Sequence, residues 1–194
     1  LTVESVVKRL NKKNKNIEIK IKSELPLGCG FGLSGASALA TAYALNKLFN
    51  LKKNKKYLAK IAHIAEVENR TGLGDVVNQF YGGFLAKFEP SSRFIVKRLP
   101  IKNKMVYYKI FSALETKKII TDEKMKNKIN KAGICSLNKI KKMINKKEIN
   151  KNDIFKKIIK ISKEFSVNSG LLKNNKVKKA IRDVEKNNGN ASMI

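Results

Sequence analysis

An uncharged, glycine-rich stretch over residues 26–46 constrains the fold more than any other part of the sequence. It holds no charged side chain, although 30% of the chain is charged. Glycines at 28, 30, 32 and 35 let the backbone adopt positive φ and approach a ligand closely. Alanines then recur at every second position from 36 to 44, and alanine is the best helix former. We predict a helix here, with Ser34 as its cap.

A glycine-rich loop that runs into a helix N-terminus is typical of a phosphate site. Free backbone N–H groups and the positive end of the helix dipole both favour an anion there. Two common phosphate-binding motifs do not fit. No Lys-Ser or Lys-Thr follows the glycines, as a Walker A motif requires. Residues 30–35 have G-x-G-x-x-G spacing, but lysines stand where a dinucleotide-binding fold needs an acidic residue. The alternative is a glycine-rich turn before a core helix.

The stretch 26–36 resembles the second motif of the GHMP kinases, Pro-x-x-x-Gly-Leu-Gly-Ser-Ser-Ala. Here it reads Pro-Leu-Gly-Cys-Gly-Phe-Gly-Leu-Ser-Gly-Ala, with departures at Phe31, Leu33 and Gly35. The Gly-x-Gly-x-Ser-Gly-Ala variant is similar to that of the archaeal pantoate kinase branch. The resemblance implies that ATP binds at this loop. The implied nucleotide-binding residues are Pro26, Gly28, Gly30, Phe31, Gly32, Leu33, Ser34, Gly35 and Ala36.

A second motif with the family's spacing lies at residues 72–83. Gly72-Leu-Gly-Asp75 has the Gly-x-x-Asp form, and a Gly-Gly pair begins at Gly82, seven residues after the aspartate. In GHMP kinases this aspartate helps to deprotonate the acceptor hydroxyl. A carboxylate beside a hydroxyl and a Mg²⁺-bound phosphate is suited to that step. The resemblance therefore implies that Asp75 is catalytic. The alternative is that Asp75 only caps the short helix that follows Gly74.

The resemblance also implies two Mg²⁺ ligands, the motif-two serine and a glutamate upstream of the aspartate. Ser34 matches the serine. Glu66 and Glu68 compete for the second place, and we prefer Glu66 because small apolar residues surround it. A solvated carboxylate is the alternative for either one. His63, the only histidine, lacks a second histidine or paired cysteines, so we expect a helix-surface or core role.

The net charge of +28 makes a basic nucleic-acid-binding protein the main non-enzymatic alternative. The basic excess is nearly all lysine, spread over predicted helix faces, and it accompanies many asparagines and isoleucines. That combination is typical of AT-rich coding, so we predict no specific nucleic-acid partner.

Two cysteines without CxxC spacing favour neither zinc nor a disulfide framework. Pro26 and four glycines make the uncharged stretch a poor membrane span, so we expect a cytoplasmic protein without a membrane partner.

Periodicity along the chain predicts a mixture of helices and strands, and the family resemblance implies that they form an α+β fold. Predicted helices cover residues 2–10, 34–49, 55–69 and 75–81, and further helices lie near 122–131, 135–145, 152–166 and 175–187. The first of these has Thr2 as its expected cap. Predicted strands cover residues 17–22 and 105–112, and a hairpin joins 83–88 to 94–98 through Pro90. The lysine-rich second half is expected to form a helical layer.

The resemblance implies a GHMP-kinase-like fold with two regions. Residues 1–100 would form a ribosomal-protein-like strand–loop–helix core that binds ATP, and residues 101–194 a helix-rich region. The family's first motif is missing before Leu1, and residues 189–193 match only the start of its third motif. We therefore expect a chain shortened at both ends, and its activity stays open.

The implied activity is ATP- and Mg²⁺-dependent phosphorylation of a small hydroxy acid. Its hydroxyl accepts the phosphoryl group, so that pantoate becomes 4-phosphopantoate in archaeal coenzyme A biosynthesis. Homoserine, mevalonate and shikimate kinase-like activities are the alternatives within the family. The acceptor-pocket residues and the oligomeric state stay open, with a homodimer among the states considered.

Overall fold

The structure is a computed structural model that describes residues 1–101, 104–114, 119, 121–145 and 151–193, without the side chains of 151–153. The described residues form two compact units. Unit 1 holds Leu1–Leu99 together with residues 113–114. Unit 2 holds the remaining described residues from Pro100 onward. Each unit is described by itself below.

Four helices build unit 1 around one apolar core. They are α1 (Thr2–Leu10), α2 (Leu33–Leu48), α3 (Lys55–Glu68) and α4 (Asp75–Tyr81). Alanines with no exposed surface line the facing sides of α2 and α3, and short side chains let helix backbones approach closely. Larger residues complete the core, namely Val6, Leu10, Leu39, Leu45, Leu58, Val76, Val77 and Phe94.

The starts of these helices differ from two of the predicted caps. Gly32, with φ of 64°, is the N-cap of α2, so Ser34 lies inside the first turn. Thr2 lies inside α1, where its hydroxyl is 3.0 Å from that of Thr71. Both cap predictions were wrong. For α2 the reason is that Gly32 supplies the left-handed backbone that the chain needs at the turn into the helix.

The predicted hairpin is present in a shorter form. Strand β1 (Leu85–Ala86) pairs antiparallel with β2 (Lys97–Arg98), in the register Leu85 to Arg98. A 3₁₀ turn over Ser91–Arg93 lies between them. The Tyr81 hydroxyl donates a 2.6 Å hydrogen bond to the Phe94 carbonyl oxygen, which fastens the hairpin to α4. The described sheet has these two strands alone.

The single strand predicted from alternation at 17–22 and the further strand predicted at 105–112 are not paired with any described strand. Their side chains are largely exposed, with Ile21 at 54% and Tyr107 at 88%. The prediction failed because alternation selects a face, whereas a strand also needs a neighbouring backbone for its hydrogen bonds. The described fold is thus a set of helices with one small sheet, compatible with an α+β class.

The long helices in the described part of unit 2 are α5 (Glu123–Asn145), α6 (Lys151–Asn168) and α7 (Asn175–Lys186). Two helices were predicted where α5 runs unbroken, because Gly133 is accommodated inside it. Ion pairs of 2.6 Å join α5 to α6 (Lys139 to Glu164) and α6 to α7 (Lys163 to Glu185). No helix in the described part of the chain combines the length and apolar character needed to cross a bilayer.

Candidate active site

The glycine-rich loop takes a left-handed backbone at three of its glycines. The φ angles are 74° at Gly28, 83° at Gly30 and 64° at Gly32. Residues with a Cβ atom rarely adopt this region. The Leu114 backbone N–H donates a 2.8 Å hydrogen bond to the Gly28 carbonyl oxygen and thereby holds this part of the loop within unit 1. No described side chain caps α2, so its first N–H groups remain available to a ligand.

The end of this loop packs directly on α4. Gln79 Nε2 donates a 2.8 Å hydrogen bond to the Gly32 carbonyl oxygen. A Cβ at Gly32 would lie 2.8 Å from that nitrogen and 3.3 Å from the Asp75 Cβ. A side chain at position 32 would therefore displace the Gln79 amide from this contact. The predicted phosphate loop and the predicted catalytic aspartate are therefore neighbours.

Glu66 and Glu68, which the sequence left as rivals, occupy opposite environments. Glu66 is fully buried, and Glu68 has 48% of its side chain exposed and pairs with Arg9. Glu66 Oε2 lies 3.3 Å from His63 Nδ1. Glu66 Oε1 has no hydrogen-bond partner among the described residues, which is rare for a buried polar atom. Burial and this free oxygen make Glu66 the better candidate ligand.

The Glu66 and Asp75 carboxylates converge on Gly72. A Cβ at Gly72 would lie 2.5 Å from Glu66 Oε1 and 3.0 Å from Asp75 Oδ2, so the two oxygens are close neighbours. A Cβ at Gly35 would lie 3.2 Å from the same Glu66 oxygen. Gly35 follows Ser34 in the first turn of α2. Two carboxylates thus meet beside the start of the helix that follows the glycine loop.

The surroundings of Asp75 change its acidity. Burial raises the pKa of the Asp75 carboxyl, and the negative charge of Glu66 raises it further, whereas Lys87 lowers it. Gly74 is the N-cap of α4, and no side-chain cap bond is formed there. The alternative that Asp75 serves as a helix cap is therefore wrong. Its carboxylate is instead directed towards Glu66.

Sequence reasoning missed two residues of this site and set aside a third. Lys87 Nζ donates a 2.9 Å hydrogen bond to the Gly74 carbonyl oxygen, and burial lowers the pKa of Lys87. One signal for it was available, since Lys87 is the only charged residue within the apolar run 84–88. Gln79 had no such signal. His63, expected on a surface or in a core, is buried against Glu66.

The remaining predicted loop residues lie at different depths. Gly35 is buried, and Phe31, Leu33, Ser34 and Ala36 are half-buried. Three others are exposed at the outer part of the loop, namely Pro26, Gly28 and Gly30. Within the described residues no group of three or more His, Cys, Asp or Glu side chains could hold a metal ion.

Comparison with known proteins tests the resemblance. Residues 2–83 match the GHMP kinases N terminal domain. The resemblance to the GHMP kinases is confirmed. A pantoate kinase from Methanocaldococcus jannaschii is 37% identical over 154 residues, which are 79% of this chain and 52% of that protein.

A second relative of this GHMP-kinase-like chain is similar over nearly the same span. A pantoate kinase from Methanospirillum hungatei JF-1 is 29% identical over 161 residues, 83% of this chain and 50% of that protein. The chain thus spans about half the length of the curated relatives it matches. No solved structure matches it.

Proposed function

We propose that this chain carries the site of an ATP-dependent kinase that phosphorylates the hydroxyl of pantoate to give 4-phosphopantoate. The observation that carries the proposal is the convergence of Glu66 Oε1 and Asp75 Oδ2 on Gly72, beside the first turn of α2. The names of the two relatives support pantoate as the acceptor. Homoserine, mevalonate and shikimate are the acceptors to compare with it.

ATP phosphates would bind at the glycine loop and the start of α2. The left-handed glycines keep side chains away from the backbone, and the uncapped N–H groups of α2 would donate to the anion. The helix dipole adds a favourable partial charge at that end. Ser34 is in the first turn and would contribute its hydroxyl. Binding here uses backbone groups, which is why the loop needs no lysine.

The residues present fit a Mg²⁺ ion. Mg²⁺ prefers hard oxygen ligands and keeps waters and substrate phosphates in its shell, so one or two protein oxygens suffice. The partner-free Glu66 Oε1 is such a ligand, and Ser34, next to Gly35, would supply the second. When bound, the ion would offset the negative charge of the phosphates during transfer.

Asp75 would orient the acceptor hydroxyl and take its proton. The catalytic efficiency of a general base is greatest when its pKa approaches the working pH. Burial and the charge of Glu66 raise the pKa of Asp75 in that direction, and Lys87 limits the rise. The carboxylate is thus a better proton acceptor than a solvated aspartate, while Lys87 helps to keep it ionised.

The finer fold description belongs to the same proposal. A ribosomal-protein-like core over residues 1–100 is supported by the domain match over residues 2–83. The helix-rich region over 101–194 and a cytoplasmic location are proposed with it.

The direct test incubates the chain with pantoate, ATP and Mg²⁺ and follows the reaction by ³¹P NMR. A new phosphomonoester signal that depends on pantoate is expected, with weaker or no signal for homoserine, mevalonate and shikimate.

Ser34→Ala should weaken binding of a non-hydrolysable ATP analogue in calorimetry. Ser37→Ala, one turn further along α2, is the matched control and should bind as the parent does. Phosphorylation of another acceptor in preference to pantoate would refute the substrate.

A further inference from the structure

His63 makes a direct contact with the proposed metal ligand. It precedes Glu66 by three residues on α3, so both side chains lie on the same helix face. The His63 Nδ1 is 3.3 Å from Glu66 Oε2, and the side chains are 8% and 0% exposed. Both side chains are therefore removed from solvent, and their polar atoms contact each other.

The packing of His63 fixes the direction of this contact. The imidazole ring meets the ring of Phe94 edge to face, with centroids 5.9 Å apart and planes at 81°. Phe94 is 3% exposed and belongs to the core of unit 1. The ring is thus packed against the core, with its Nδ1 beside Glu66 Oε2.

The result is an asymmetric Glu66 carboxylate. One oxygen faces His63, while Oε1 has no partner in the described structure and faces Gly35 and Gly72. A ligating carboxylate needs a second hydrogen bond to hold its orientation, and loss of such outer partners costs metal affinity. We propose that His63 is a positioning residue: its Nδ1–H holds Glu66 Oε2 and thereby presents Oε1 to a divalent cation. This inference rests on the metal-binding part of the proposed function.

The alternative is that His63 only fills space in the core and has no effect on cation binding. The two roles are separated by a matched pair of variants. His63→Asn keeps an N–H donor at the δ position. His63→Leu keeps the approximate size of the side chain but has no donor. A space-filling role predicts that Leu is the milder change, because Asn is polar and smaller. A positioning role predicts the opposite order for cation affinity.

The cation itself is the probe, with Mn²⁺ used in place of Mg²⁺ because both prefer oxygen ligands. His63→Leu should lower the affinity for Mn²⁺ by about 10-fold or more, the lower bound for losing an outer hydrogen bond. His63→Asn should lose clearly less than that roughly 10-fold. Melting curves taken without metal show whether either variant is unfolded.

A second measurement needs no variant. The chain has one histidine, so its imidazole NMR signals are assigned without ambiguity. Paramagnetic Mn²⁺ bound at Glu66 Oε1 should broaden these signals at low occupancy, and Glu66→Gln should abolish the broadening. Sharp histidine signals in the parent chain at saturating Mn²⁺ would overturn the inference even if His63→Leu does not fold.

The outcomes also separate this inference from the proposed function. Pantoate phosphorylation combined with an unchanged Mn²⁺ affinity in His63→Leu overturns the positioning role and leaves the kinase. Selective loss of Mn²⁺ binding in His63→Leu, in a chain that phosphorylates no pantoate, supports the positioning role and counts against the substrate.

Discussion

The ammonium group of Lys87 donates a 2.9 Å hydrogen bond to the carbonyl oxygen of Gly74, the residue directly before Asp75. This contact places a positive charge beside the proposed base, and the charge lowers the pKa of Asp75 against the effects of burial and Glu66. A Cβ at Gly74 would lie 2.3 Å from the same nitrogen, so a side chain at position 74 would displace the Lys87 ammonium group from this contact. The hairpin and the aspartate loop therefore form one unit of the site.

Replacement of Lys87 by methionine should shift the pH dependence of catalysis. Without the ammonium group the pKa of Asp75 should rise further, and the base must be ionised to act. The acidic limb of kcat/KM should therefore move to higher pH, with a larger loss of rate at pH 6 than at pH 8. Lys97→Met, at an exposed position of β2, is the control and should leave the profile in place. An unshifted limb in Lys87→Met would remove Lys87 from the mechanism.

Asp75→Asn should separate catalysis from binding. The amide keeps the shape but cannot take a proton, so turnover should fall by roughly 10²-fold or more, the usual scale for a general base. Affinity for an ATP analogue should change little, because phosphate binding uses backbone groups and metal. Steady-state rates and calorimetry check the two parts. Normal turnover of pantoate by this variant would contradict the assigned role.

The same variant has a predicted pH signature in stability. The pKa of Asp75 is raised above its unfolded value of 3.8, so the folded state disfavours the charged form. The resulting destabilisation is fully present above the folded pKa and disappears as the pH falls towards 3.8. At pH 7 Asp75→Asn should therefore melt no lower than the parent, and any advantage should shrink on acidification. An advantage that grows towards acid pH would show the opposite shift.

Most residues of the candidate site could be predicted from the sequence because its motifs are local. Glycine spacing predicted the loop, and the interval from Asp75 to Gly82 predicted the second motif. Partners supplied by other elements were not accessible, since Lys87 reaches the site through a hairpin contact and Gln79 through α4. The isoleucine alternation at 17–22 failed for the same reason, because pairing depends on a neighbour that no local pattern reveals.

The structure also changes how the loop should be tested. On sequence grounds alone, Gly32→Val is the natural probe of contact between the loop and phosphate. A Cβ there would lie 2.8 Å from Gln79 Nε2 on a backbone with φ of 64°, so the variant would disturb the loop with or without ATP. Ser34→Ala avoids this problem because it removes one hydroxyl from a helical residue.

Glu66→Gln and Glu68→Gln form a matched pair two residues apart on the C-terminal end of α3. Glu66 is buried, and its Oε1 has no hydrogen-bond partner among the described residues, which costs folding free energy. Glu66→Gln should therefore melt at an equal or higher temperature without metal, yet lose the stabilisation that Mg²⁺ and an ATP analogue give the parent. Glu68→Gln loses only a surface ion pair and should keep that stabilisation. Equal metal responses in the two variants would exclude Glu66 as a ligand.

Two glycine-to-alanine changes should have opposite effects, because their surroundings differ. At Gly133, inside α5, a Cβ would meet only Phe165 at 3.9 Å, an ordinary contact. Alanine there should raise the free energy of unfolding by about 0.5–1 kcal/mol, the usual gain over glycine in a helix. At Gly72 the Cβ would lie 2.5 Å from Glu66 Oε1 and must displace a fully buried carboxylate. Gly72→Ala should therefore weaken Mn²⁺ binding and pantoate turnover together, while Gly133→Ala leaves both unchanged. Melting curves and metal titrations of the two variants check this, and a Gly72→Ala chain that binds Mn²⁺ normally would show that the two carboxylates do not form the cation site.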